Sequence, residues 1–349
     1  EQSALKLNSL TEELNQKQLE ILENRDALQA EKINVQDEKI KLQSAENNEK
    51  KILNYALIIG LLAVCIIIYF IYSKLKLTNK QNLIIQNQKI KVDLAYDKLE
   101  EKSKEITDSI IYAKRIQSAI LPTDKVIKSH FSESFILYKP KDIVAGDFYW
   151  FNESNNSKMI AACDCTGHGV PGALVSVICN NSLNRAVKEF GLTDPGQILD
   201  KTRLLVIQEF SESEEDVKDG MDIALCSLDG NILSFAGANN PLWIIRNNEI
   251  IEIKGDKQPI GKSDNPKPYQ THKIELLPND SFYIFTDGFA DQFGGIKGKK
   301  LKTKGFKDLL LVVAGKPMQE QKDVIDLTFE DWKRSFEQLD DVCIIGVTV

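Results

Sequence analysis

The sequence has no CxxC pair among its six cysteines, Cys65, Cys163, Cys165, Cys179, Cys226 and Cys343, which removes zinc ribbons and dithiol redox centres. The cysteines read instead as small buried hydrophobes of a reducing compartment. A sulfur-bound metal at Cys163 or Cys165 would sit beside a carboxylate that suits a harder ion. Basic excess is also missing: 44 Lys and Arg face 51 Asp and Glu, for a formal charge of -7. Nothing is left over to neutralise a nucleic-acid backbone, so no nucleic acid is expected as a partner. Neither a methionine nor a basic-then-apolar signal sequence opens the chain at Glu1, and the expectation is a piece of something longer, with any N-terminal sensor outside it. There is no internal repeat. The 349 residues suffice for one large domain plus appendages, since domains hold roughly 100–200 residues.

One long hydrophobic run is present. Residues 52–72 carry no charged side chain, and about 20 apolar residues are what a helix needs to cross the hydrocarbon core. Asn54 at one end and Tyr69 and Tyr72 at the other fit an interfacial placement. Before this run, Leu7, Leu14, Ile21, Leu28, Val35 and Leu42 recur every seventh residue. The complementary position holds Ala4, Thr11, Gln18, Arg25, Lys32 and Lys39, a half-polar seam that is weak alone. After it, Ile85, Val92, Leu99, Ile106, Ala113 and Ile120 restart the heptad, helped by Tyr96 and Ile110. This second helix should run to Leu121 and stop at Pro122, which cannot donate the next backbone hydrogen bond. Two stripes flanking a span predict a parallel homodimer that carries a twist or shift across a membrane.

Beyond Pro122 the period changes. Short runs rich in Val, Ile, Phe and Tyr, at 135–138, 159–162, 223–227, 233–235, 242–246, 249–253, 281–285 and 342–347, are bounded by turn residues and read as strands. Helical stretches are expected over 172–190, 195–210 and 324–336. Many antiparallel strands with a few long helices define an α+β layered domain. The predicted organisation is therefore a coiled-coil helix over 1–50, a transmembrane helix over 52–73, a linker helix over 74–121 and a catalytic domain over 122–349.

Four turns place carboxylates at strand ends: Gly146-Asp147-Phe148, the run from Asp164 to Gly169, Thr286-Asp287-Gly288 and Asp340-Asp341-Val342. Carboxylates converging from separate strands repel one another, which a protein tolerates when a cation is bound among them. Oxygen-only donors, with glycine allowing close backbone approach, suit Mg²⁺ or Mn²⁺. A pair of such ions can activate a water for in-line attack on a phosphoryl group, giving a free hydroxyl and inorganic phosphate. Taken singly, an Asp-Gly at a strand end is an ordinary turn; the joint occurrence changes the reading.

The motifs Ala145-Gly-Asp-Phe-Tyr-Trp150, Asp164-Cys-Thr-Gly-His-Gly-Val-Pro-Gly-Ala-Leu174, Gly237-Ala-Asn-Asn-Pro-Leu-Trp243, Gln258-Pro-Ile-Gly261, Phe285-Thr-Asp-Gly288 and Leu339-Asp-Asp-Val342 fall in order over residues 109–349. This region resembles the sporulation-protein-E class of metal-dependent protein phosphatases, the PPM family. The resemblance implies an αββα sandwich of two antiparallel sheets flanked by helices, with two divalent cations, Mn²⁺ or Mg²⁺, at one edge. By the same resemblance Asp164 bridges both ions, Asp287 and Asp340 complete the shells, Asp147 contacts a metal or its water, and the Cys165 carbonyl ligates where the family often has glycine. Trp150 stands where the family often has an acid. Asp340 is preferred as the ligand over Asp341, which can instead cap or pair nearby groups.

His168 has an unperturbed pKa suited to donating a proton to the leaving hydroxyl, or it shapes its Gly-His-Gly turn. Lys139 and Lys141 touch substrate phosphate or are surface lysines. The acidic run 212–219 reads as a solvated loop, and Asp222 after it can belong to either loop or site.

The expected function is that of a single-pass, inner-membrane protein serine/threonine phosphatase with its catalytic domain in the cytoplasm. Lysine counts on the two sides of the span are nearly tied, so that orientation follows from the need for a substrate made by kinases using cytosolic ATP. The class resemblance implies a phosphorylated regulator of the STAS, anti-anti-sigma-like, type as partner. The alternative is a metal-free pseudophosphatase serving as a dimeric scaffold; a nucleotide cyclase would need a βαββαβ layout that the strand-rich pattern lacks.

Overall fold

A computed structural model describes residues 2–154, 157–211 and 219–349. The expected seam position Ala4 and the expected acidic loop over 212–218 lie outside the residues whose side chains are described. The chain divides into two units, Glu1–Leu99 and Glu100–Val349.

A single helix, α1 (Gln2–Ile120), is continuous where three helical segments are expected. It contains the one stretch, among the described residues, long and apolar enough to cross a membrane, with a mean hydropathy of 2.7. In the first unit the apolar heptad residues are exposed, Leu14, Leu28, Val92 and Leu99 among them. The helix ends at Ile120 because Leu121 precedes a proline, which disfavours helical backbone.

In the second unit come α2 (Asp124–His130), β1 (Ser134–Lys139), β2 (Phe148–Ser154), β3 (Ser157–Cys165), α3 (Gly169–Lys188) and α4 (Pro195–Ser211). Next are β4 (Met221–Asp229), β5 (Ile232–Ala238), β6 (Leu242–Arg246), β7 (Glu249–Ile253), β8 (His272–Glu275) and β9 (Ser281–Phe285). Last are α5 (Gly288–Asp291), β10 (Phe293–Gly294), β11 (Lys299–Lys300), α6 (Lys302–Val313), α7 (Met318–Lys333) and β12 (Val342–Thr348).

Two antiparallel five-stranded sheets result, ordered β1-β12-β9-β6-β7 and β2-β3-β4-β5-β8. The expected α+β sandwich is the observed one, and burial explains it. Along β3, Met159, Ala161 and Cys163 pack with α3 and α4, while Ile160 and Ala162 face the other sheet. A strand covered on both faces has no polar side, hence its continuous apolar run. A third cluster fills the space between the β1-to-β7 sheet and helices α5, α6 and α7, built on Trp243, Phe285, Phe289, Phe306 and Phe329. Phe306 sits at its centre, its ring 5.5 Å from Trp243, 5.0 Å from Phe285 and 4.6 Å from Phe289.

Seven elements escape the sequence pattern: β2, which starts at the last residue of a motif read as a turn, the short helices α2 and α5, the four-residue edge strand β8, the two-residue strands β10 and β11, and α6, which hides its stripe of Phe306, Leu310 and Val313 among lysines.

Phe306→Ala should lower the stability of the second unit by roughly 3–5 kcal/mol, the usual cost of truncating a buried aromatic. Chemical denaturation followed by tryptophan fluorescence checks this, and an unchanged midpoint would show the third cluster is not a packed core.

Candidate active site

The strand ends that carry carboxylates lie at one end of the two sheets. Asp164 is the penultimate residue of β3 and faces Asp222 of β4 across the antiparallel ladder. Asp147 immediately precedes β2, whose Phe148 pairs with Cys163. In the other sheet Phe285 of β9 pairs with Ile344 of β12, which brings Asp287, just after β9, to the same end as Asp340 and Asp341, just before β12.

Electrostatics show that these groups feel one another. Burial first, then the charges of Asp287, Asp340 and Asp222, together raise the Asp164 carboxyl from 3.8 to about 8. Asp287 is raised to about 6 by burial and by Asp291, Asp340 and Asp222. Asp147, only 3% exposed, is raised by burial and by Asp164, against a lowering hydrogen bond from Thr286. Asp222 joins the cluster although the sequence leaves its role open; burial raises it too, while Asn239 Nδ2 donates to its Oδ1 at 2.8 Å. The missed signal was position: Asp222 lies at the start of a strand, two residues after Gly220. A cavity of about 300 Å³ opens here, lined by Asp164, Cys165, His168, Asp222, Gly261 and Asp340 among others.

Asp340 and Asp341 do different work. Asp341, 1% exposed, accepts from the Lys141 N–H at 2.7 Å through Oδ1, and from the N–H groups of Gly146 at 2.7 Å and Asp147 at 3.3 Å through Oδ2. Charge-assisted bonds of this kind are stronger than neutral ones, so Asp341 fixes the 141–147 loop and thereby the backbone of Asp147. Asp340 lines the cavity.

Thr286 Oγ1 donates to Asp147 Oδ2 at 2.6 Å and accepts from the Cys343 N–H at 3.0 Å, tying β9, β12 and the Asp147 loop together. Glycine is needed where backbones touch: a Cβ on Gly146 or on Gly172 would stand 2.2 Å from the Gly167 carbonyl oxygen, and one on Gly288 2.0 Å from that of Asp341.

Cys165 lines the cavity with its side chain buried beneath, 4% exposed. His168, half exposed, has both ring nitrogens engaged, Nδ1 with Asp142 Oδ2 at 2.8 Å and Nε2 with Lys141 Nζ at 3.0 Å. An ammonium only donates, so Nε2 accepts and the ring proton lies on Nδ1. Lys141 thus serves the His168 turn, and Lys139 is taken up by Asp326 at 2.5 Å and Glu330 at 2.6 Å. Five of the six cysteines are buried.

Among the described residues no group of three or more His, Cys, Asp or Glu side chains is already arranged to hold a single ion. The donor set nevertheless fits hard divalent cations: it is all oxygen, and its Asp147, Asp164 and Asp287 carboxyls are raised by burial and by mutual repulsion that a cation would relieve.

An αββα sandwich with an acid cluster at one end of its sheets defines the class of PP2C-type phosphatase domains. A family model described as stage II sporulation protein E (SpoIIE) matches residues 154–349, and the chain belongs to that family. It is similar to the PP2C domain of SiaA from Pseudomonas aeruginosa, with 35% identity over 71% of this chain and 98% of that one, at a TM-score of 0.65. It shares its fold with the PP2C phosphatase domain of SpoIIE from Bacillus subtilis, solved with a fragment of its regulatory domain, at 17% identity, 62% and 63% coverage and a TM-score of 0.52. Comparison with curated proteins gives no match.

An acid raised in the folded state stabilises the fold while protonated, and that contribution is lost as pH climbs from 3.8 towards about 8 for Asp164. Asparagine mimics the protonated form. Without metal, Asp164→Asn should therefore melt several degrees above wild type at pH 8, with the gap closing as pH falls through that window. Added Mn²⁺ should raise wild type and leave the variant behind. Thermal unfolding with EDTA and with Mn²⁺ measures both, and identical melting at every pH would refute a repulsive cluster.

Proposed function

We propose that this chain is a membrane-anchored protein serine/threonine phosphatase that hydrolyses phosphoserine or phosphothreonine on a regulatory protein. The observation that carries the reading is the gathering of Asp147, Asp164, Asp222, Asp287 and Asp340 from separate strands at one end of the sandwich. Asp164, Asp287 and Asp340, with the Cys165 carbonyl, would hold two divalent cations, Mn²⁺ or Mg²⁺, and Asp147 would contact an ion or its water. When bound, such ions supply an activated water and neutralise the phosphoryl oxygens. The chain's own contribution is placement: Asp341 and Thr286 hold Asp147, and the turn from Thr166 to His168 lines the cavity that would take the phosphoryl group. Water attacks phosphorus and gives up a proton to solvent, the bond to the seryl oxygen breaks, and that oxygen takes up a proton from solvent, leaving serine and inorganic phosphate. With Lys141 on Nε2, His168 positions the turn rather than delivering the proton.

The organisation proposed is the one the sequence predicts, with the span over 52–73 in an inner membrane and the phosphatase domain over 122–349 in the cytoplasm. The exposed heptad positions of α1 support a parallel dimer. Regulation would act through the end of α1. Gln117, 5% exposed, donates to the Ala145 carbonyl at 2.6 Å and to Ser176 Oγ at 3.0 Å, and accepts from the Ala145 N–H at 3.1 Å. Any turn of the helix at Gln117 pulls on the residue two before Asp147. The partner class proposed is a STAS-type phosphoprotein.

Release of phosphate from para-nitrophenyl phosphate with Mn²⁺ tests the activity. Asp164→Asn should lose roughly 100-fold or more, the upper end of what removing even an outer-shell metal partner costs; a wild type that releases none leaves the pseudophosphatase scaffold standing. Gln117→Ala should raise the Mn²⁺ concentration for half-maximal rate by roughly 10-fold, and an unshifted titration would disconnect α1 from the site.

A further inference from the structure

The chain is acidic, yet one stretch of the second unit is strongly basic. Between α5 and α6, Lys297, Lys299, Lys300, Lys302 and Lys304 put five lysines into eight consecutive positions. Lys300 is committed, 2.6 Å from Asp291 and over the Phe293 ring. Lys297, Lys299, Lys302 and Lys304 are exposed and, among the described residues, make no ion pair or side-chain hydrogen bond. At the tip Ile296 is 89% exposed.

This segment is held firmly. β10 and β11 pair Phe293 with Lys300 and Gly294 with Lys299. The Gly295 N–H donates to the Trp332 carbonyl at 2.8 Å, Trp332 Nε1 donates to the Gln292 carbonyl at 3.0 Å, and the Leu301 N–H donates to the same carbonyl at 3.1 Å. Gly294 fits so closely that a Cβ there would stand 1.9 Å from the Trp332 carbonyl oxygen.

Its position matters as well. The hairpin follows α5, a single turn whose N-cap is Asp287 and whose last residue, Asp291, holds Lys300 at 2.6 Å. The hairpin that carries the lysines is therefore tied, through Lys300 and Asp291, to the helix turn that starts at Asp287 of the acid cluster. A cavity ringed by carboxylates repels an anionic protein that approaches it, and a fixed basic surface next to that cavity offsets the repulsion and speeds encounter. Unpaired like charges packed this densely cost self-repulsion unless they meet an anion.

We propose that the β10–β11 hairpin and the start of α6 form a recognition arm for acidic residues flanking the phosphoserine of the protein substrate. The proposal rests on the phosphatase reading above and names the chemistry of its substrate.

The test uses the full chain in detergent micelles with Mn²⁺ and three substrates: para-nitrophenyl phosphate and two phosphoserine peptides of equal length, one flanked by Asp and Glu, the other by Ser and Ala. Wild type should favour the acidic peptide by roughly 10-fold in kcat/KM, mostly through KM, with the preference shrinking as salt rises. The triple variant Lys297→Glu, Lys299→Glu, Lys304→Glu should lose or invert that preference while hydrolysing para-nitrophenyl phosphate at the wild-type rate. A variant that keeps the preference overturns the proposal. So does one that slows equally on all three substrates, or one whose only defect is weaker co-sedimentation with phosphatidylserine vesicles. Wild type inactive on para-nitrophenyl phosphate would sink the phosphatase reading itself, whereas normal turnover with no peptide preference sinks the arm alone.

Discussion

Bringing Asp147, Asp164, Asp222, Asp287 and Asp340 to one end of two sheets is unfavourable in itself, because Asp147, Asp164, Asp222 and Asp287 lose water and the cluster's like charges repel. The surrounding structure holds the groups there regardless. Core packing does most of this: β3 is buried on both faces, and β9 and β12 are locked in register beside each other. Local hydrogen bonds finish it. Asp341 gathers three backbone N–H groups and Thr286 bridges two strands and the Asp147 side chain. The acid cluster is therefore a property of the fold.

That arrangement also explains the close packing of glycines around the cluster. Three peptide segments, at Gly146, Gly167 and Gly172, meet with no room for a Cβ at the first or the last. The turn that lines the cavity is thus clamped by main chain on two sides, which leaves side chains such as His168 free to pair with Lys141 and Asp142 at its rim.

Much of this was legible in the amino-acid order. Strands such as β6 and β7 announce themselves as apolar runs between turns, and the aspartates stand out because each lies at the end of such a run. What the pattern hides is long-range pairing. Nothing local marks Asp341 as a brace and Asp340 as the cavity-facing neighbour, since that depends on which amides lie 195 residues away. Asp222 is likewise ambiguous until Asp164 is seen opposite it in the ladder. Lys139 resembles a substrate contact in sequence because its two acidic partners, Asp326 and Glu330, belong to a helix far along the chain. The helix α1 has the opposite problem: its periodicity is plain, but the division into coiled coil, span and linker is a matter of polarity, and the backbone runs through all three without a break.

The strand that follows every other described element in sequence, β12, is inserted between β1 and β9 rather than added at an edge. Until β12 pairs, a folding chain carries that sheet split down the middle, with the apolar flanks of β1 and β9 open to other partners. Asp340 and Asp341 stand just before β12, so closing that sheet and delivering the last carboxylates to the cluster are a single folding event.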